Sequence, residues 1–112
     1  MSNDLNTNID SYINSDSEQK YFIEKKQVFP RMIKVDSTED FKLRCYELAI
    51  TGLEKFALEK DISEYIKERL DEEFTEEWQC IIGMDFAASL THESRNLVFF
   101  CIEKTYFLIF KI

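Results

Sequence analysis

The 112-residue chain is 45% hydrophobic and 14% aromatic, with ten Phe and one Trp, which is enough apolar material for one packed domain. Lys and Arg number 14 against 22 Asp and Glu, a formal charge of −8, and this argues against a general nucleic-acid or anionic-membrane binder, since either needs a basic face. No stretch reaches the ~18 uninterrupted apolar residues of a membrane span, and "MSNDLNTNIDSYINS" has neither the basic start nor the apolar core of a secretory signal, so a soluble intracellular protein is expected.

Residues 1 to about 20 are rich in Asn, Ser and Asp, with scattered apolar side chains and no period. Such a segment buries too little surface to offset its chain entropy and reads as a disordered tail. The alternative is a short helix docked through Leu5, Ile9 and Ile13. The polar extension is drawn over residues 1–28, with the domain over 29–112. Pro30 breaks "YFIEKKQVFPRMIKV" and marks the start of a short edge strand, "RMIKV".

In "STEDFKLRCYELAITGLEKFALE" the apolar residues Phe41, Cys45, Leu48, Ala49, Leu53 and Phe56 recur at steps of three and four, one stripe of a helix. Ser37 or Thr38 supplies its cap. Gly52 inside the helix costs about 1 kcal/mol relative to Ala, so its expected use is to let another backbone come close. "EKDISEYIKERLDEEF" is a second helix with Ile62, Tyr65, Ile66, Leu70 and Phe74 inward. Asp61 and Glu64 have capping-box spacing, and Lys67, Glu68, Arg69, Asp71 and Glu72 form a solvated face.

The period then changes. "WQCIIGM" is rich in β-formers, "DFAASLT" is a thinner strand, and "NLVFFCI" and "TYFLIFKI" flank a polar break as a hairpin. Two helices followed by four strands make an α+β domain with the helices packed on an antiparallel sheet. In the last hairpin Leu97, Phe99 and Cys101 alternate with Val98, Phe100 and Ile102, so both faces are apolar. Two helices cover one face. A second copy related by two-fold symmetry is the economical cover for the other, so a homodimer is expected.

Catalytic constellations are missing from this pattern. Gly52 and Gly83 are the only glycines, so no phosphate-cradling loop exists. His92, the single histidine, has Glu93 next to it, but adjacent residues on a strand point oppositely. Cys45, Cys80 and Cys101 are too scattered for a zinc site and read as reduced apolar thiols. A non-enzyme without metal or cofactor is expected. The "DFAASLT" edge, thin at Ala87, Ala88 and Ser89, is a template for an added peptide strand.

"LEKFALEKDISEYIKERLDEEF", "WQCIIG", "DFAASLTHESRNLVFF" and "FLIFK", in this order, resemble the small dynein light chains of the eight-kilodalton class. The likeness runs from about Asp36 to Lys111, and "VFPRMIKVDS" is similar, more loosely, to the axonemal branch. The resemblance implies a strand-swapped homodimer with helices outside a β-sandwich. The strand Phe86–Thr91 would cross to the partner's sheet and form two symmetric grooves for extended peptides. It places Lys60, Phe86, Ser89, Thr91, His92, Leu97 and Phe99 at the peptide groove, and Gln79, Phe86, Ala87 and Ala88 at the dimer interface. A dynein intermediate chain, or another partner with an extended linear motif, is the implied ligand, in the cytoplasm, the cytoskeleton or an axoneme. Two departures stand out. Ala87-Ala88-Ser89 replaces the family's Gly-Ser-Tyr, removing a large groove wall. Gln79 replaces a His whose protonation dissociates the family's dimers in acid.

Overall fold

The computed structural model describes residues 19–74, 77–84 and 97–111. A small hairpin comes first, β1 (Tyr21–Ile23) and β2 (Lys26–Val28), followed by strand β3 (Arg31–Asp36). Helices α1 (Glu39–Lys55) and α2 (Glu59–Glu73) follow, then strands β4 (Trp78–Gly83), β5 (Leu97–Ile102) and β6 (Thr105–Lys111). The last four strands form one antiparallel sheet in the order β3-β5-β6-β4. The fold is α+β, with two helices packed on an antiparallel sheet.

The β1–β2 hairpin lies within the stretch, residues 1–28, that the sequence reads as a polar extension. Glu24 and Lys25 form its two-residue turn with φ of 51° and 71°, the double positive φ that lets a two-residue connection match strand twist. Tyr21 meets Tyr46 edge-on at 5.7 Å between ring centroids, and Val28 is buried in the main core. Folded chain therefore begins ahead of Pro30. Edge strand β3 starts directly after Pro30, where a missing N–H costs no ladder bond.

Helix α1 is capped by Thr38, whose Oγ1 accepts the Phe41 N–H at 3.2 Å. Its inward stripe, Phe41, Cys45, Leu48 and Ala49, is fully buried, and Tyr46 and Ile50 join it. At Gly52 the close neighbour is a side chain and not a backbone: a Cβ there would lie 2.9 Å from Ile62 Cγ2. Helix α2 begins at Glu59 with Leu58 as its cap residue and no side-chain cap bond, so the Asp61–Glu64 capping box does not form. Asp61 instead occupies the first turn, where a carboxylate favours the positive end of the helix dipole. Ile62, Ile66 and Leu70 are buried, whereas Phe74 stays 40% exposed while touching Phe41 edge-on at 4.9 Å.

Register assigns the two sheet faces. Cross-strand rows such as Phe100–Phe107–Ile82 and Val98–Ile109–Cys80 face the helices and complete the core. The rows Leu97–Phe110–Gln79 and Phe99–Leu108–Ile81 lie on the opposite face. Phe100 and Phe107, stacked at 5.0 Å, are fully buried, each contributing about 1.5–3 kcal/mol by removal from water.

Candidate functional site

The second face of the sheet carries a separate apolar cluster. Leu97, Phe99 and Leu108 are 2%, 6% and 7% exposed, with half-buried Tyr106 and Phe110 packed against them. Ile81, on the same face at the β4 edge, is 48% exposed. The cluster arises because β5 is apolar at every position and β6 is apolar or aromatic from Tyr106 to Phe110, so neither can turn a polar side to water there. Among the described residues, β4 is paired only with β6.

Beside that edge lies an open trough of about 490 Å³ between α2 and β4, lined by Lys67, Asp71, Glu72, Glu77 and Gln79. Asp71 organises it. One carboxylate oxygen accepts the Trp78 backbone N–H at 3.0 Å, and the other accepts Lys67 Nζ at 2.6 Å. Partial burial pushes the Asp71 carboxyl up, but the Lys67 and Trp78 hydrogen bonds outweigh it and hold the group below its ordinary value. The same Asp71 hydrogen bond raises the Lys67 ammonium. Trp78, fixed at the start of β4, stacks on Phe41 at 4.4 Å. The helix pair behind the trough is tied by Arg44, which donates to both Glu73 oxygens, at 2.8 and 2.6 Å.

The sequence-derived sites divide as follows. Leu97 and Phe99 share the second-face cluster, and Gln79 lies on that face at β4, half-buried, in register with Phe110. Lys60 is exposed in the first turn of α2, which packs on the opposite face, so one chain does not bring it to Leu97 and Phe99. Phe86, Ala87, Ala88, Ser89, Thr91 and His92, and the strand expected at "DFAASLT", lie outside the described residues. Lys67, Asp71 and Glu77 were not expected at the site. The signal for Lys67 and Asp71 was the charge alternation along α2, which reads equally as a solvated face, and Glu77 lies beyond that helix.

The cysteines are free thiols. Burial raises the Cys45 thiol, with a smaller contribution from nearby Cys80, and burial alone pushes Cys80 up to about 12. Neither is a thiolate nucleophile at neutral pH. No cluster of metal-ligating side chains occurs among the described residues, and no described helix is long and apolar enough to cross a membrane.

The family model for dynein light chain type 1 matches residues 30–112. The chain belongs to the dynein light chain family. It is 34% identical over 87 residues to a cytoplasmic dynein light chain of Emericella nidulans, covering 78% of this chain and 93% of that one. Its fold is similar to the dynein light chain-like domain of a Fasciola hepatica calcium binding protein, with a TM-score of 0.67, 18% identity, and coverage of 82% of this chain and 99% of that domain. A mercury derivative of the same domain matches with a TM-score of 0.63 at 20% identity, covering 74% and 91%. The matched family region begins at Pro30, so hairpin β1–β2 lies outside it.

Proposed function

We propose that this dynein light chain is a non-catalytic homodimer that holds two extended partner segments side by side. The observation that carries the reading is the two-sided apolar hairpin β5–β6 next to a β4 edge that pairs, among the described residues, with β6 alone. A partner protomer's strand, Phe86–Thr91, adds at that edge, and its sheet covers the Leu97–Phe99–Leu108 face. Lys60 and the groove residues Phe86, Ser89, Thr91, His92, Leu97 and Phe99 then converge across two protomers, while Gln79, Phe86, Ala87 and Ala88 meet at the interface. The bound segment belongs to a dynein intermediate chain or another partner with a linear motif. Two grooves in one dimer raise affinity for a paired partner through effective concentration. Cytoplasm and cytoskeleton, including an axoneme, are the fitting locations; the Emericella nidulans relative is itself called cytoplasmic.

Sedimentation equilibrium of the chain, followed by titration with peptides spanning a dynein intermediate chain, tests this. A two-protomer mass and peptide-induced amide shifts over residues 86–92 are expected. A monomer at micromolar concentration overturns the dimer, and a dimer that binds none of the peptides overturns the groove. The second outcome favours a structural dimerising subunit without peptide binding, a reading that Ala87-Ala88-Ser89 supports by lacking the large side chain of the family's Tyr.

A further inference from the structure

The hairpin outside the matched family region builds a second surface. Between it, β3 and α1 lies a cavity of about 450 Å³, walled by Tyr21, Phe29, Pro30, Met32, Leu43 and Tyr46. Its size falls in the range of ligand pockets, and its lining is largely apolar. Phe29 on its rim is 73% exposed and extends the apolar lining to the surface. Lys42, one of the few polar groups on the wall, is already paired with Glu39 at 3.1 Å.

Charge is unevenly distributed around this surface. Residues 19–36 carry five basic side chains, Lys20, Lys25, Lys26, Arg31 and Lys34, against Glu24 and Asp36, in a chain whose total is −8. Residues 1–18 carry Asp4, Asp10, Asp16 and Glu18 and no basic side chain. Within them Leu5, Ile9, Tyr12 and Ile13 fall at the i, i+4, i+7, i+8 spacing of one helix face. The described chain starts at Gln19, which itself lines the cavity.

We propose that the chain's own residues 5–13 dock on this cavity, with Leu5, Ile9, Tyr12 and Ile13 against Phe29, Met32, Leu43 and Tyr46. Asp10 within the segment and Asp4, Asp16 and Glu18 flanking it bring negative charge to the basic hairpin and β3. Tethering through residues 14–18 gives the segment a high effective concentration at the site. A second copy is a poor occupant, since a two-fold contact would set one basic patch against another. The contact is a family-external strap that covers an apolar surface on the helix layer, away from the second sheet face and the β4 edge.

Methyl and amide NMR of the full chain tests this with Ile9→Asp/Ile13→Asp, changes that leave the described core untouched, and with Lys25→Glu/Arg31→Glu on the other side of the contact. Both variants should shift the Met32 and Leu43 methyl resonances. Hydrogen exchange over Tyr21–Ile23 should speed up on the order of tenfold as the strap is released. In the unaltered chain, cross-peaks between the Ile9 or Ile13 methyls and the Tyr46 ring should persist on dilution. Unmoved Met32 and Leu43 resonances in Ile9→Asp/Ile13→Asp overturn the proposal. So do cross-peaks that vanish on dilution, which would make the occupant a second copy's segment.

Discussion

Asp71, in the last turn of α2, accepts the backbone N–H of Trp78, the first residue of β4, at 3.0 Å. This bond spans the helix-to-sheet connection and fixes where the edge strand starts. Asp71→Ala removes the acceptor and the Lys67 partner together, and should cost about 1–2 kcal/mol in urea unfolding. Asp71→Asn keeps an acceptor for Trp78 and loses only the ion pair, about 0.5 kcal/mol or less. Equal losses from both would show that the Trp78 bond carries no weight.

Acid should weaken the fold through two carboxyls. The Arg44 hydrogen bonds hold Glu73 below its ordinary value, and Asp71 is held below its own despite partial burial. Groups with depressed folded values stabilise the protein above their unfolded range near 4 and lose that contribution as pH falls through the folded values. Both keep contact with solvent, which screens their ion pairs, so the effect is small. Arg44→Met should flatten the decline in stability below pH 4, and an unchanged pH profile would remove Glu73 from the account.

Gly52→Ala gains about 1 kcal/mol of helix propensity but forces a Cβ to 2.9 Å from Ile62 Cγ2. Overpacking of this kind costs about 1–3 kcal/mol, so the net change should be a loss of up to about 2 kcal/mol. In an Ile62→Ala background the clash is gone, and the same substitution should become neutral or stabilising. A double-mutant cycle by chemical denaturation reads the coupling directly.

Lys25 holds φ of 71° in the β1–β2 turn, a conformation that glycine adopts freely. Lys25→Gly should therefore stabilise the hairpin by about 0.5–1 kcal/mol, read as slower hydrogen exchange over Tyr21–Val28. Faster exchange would mean that lost chain entropy outweighs the relieved strain.

Gln79 sits half-buried beside Phe110 on the proposed dimer face and gains no charge in acid. The dimer should keep its mass from pH 7 to pH 5 in sedimentation velocity, whereas Gln79→His should make it dissociate over that interval. Monomer at pH 5 in the unaltered chain would contradict this.

Helical periodicity made the core legible. Phe41, Cys45, Leu48, Ile62, Ile66 and Leu70 repeat over enough turns for one face to stand out, and the unbroken apolar runs of β5 and β6 showed that both sheet faces needed cover. The β1–β2 hairpin escaped notice because three-residue strands carry no period and Glu24-Lys25 lacks the usual Asn-Gly turn signal. Tyr46 was missed with it, since its inward partner Tyr21 belongs to that hairpin. Asp61 and Glu64 matched a capping box in spacing, but the helix starts two residues earlier than Asp61 and leaves that carboxylate inside the first turn. The shared second face of Leu97, Phe99 and Gln79 was readable from strand alternation, while their groove and interface roles rest on the resemblance. Asp71 was not, because its role depends on where the backbone of Trp78 arrives after the chain reverses.

The irregularity between Met32 and Lys34 in β3 has a consequence for how many chains can associate. It interrupts the ladder on the outermost strand at one end of the sheet, and Lys34 places a cation beside the break. Interrupted, charged edges resist in-register addition of a further strand. Among the described residues β3 is thus the blunt end of the sheet. With the two-fold pairing proposed at β4, a blunt β3 leaves no ready edge through which further copies could add in register.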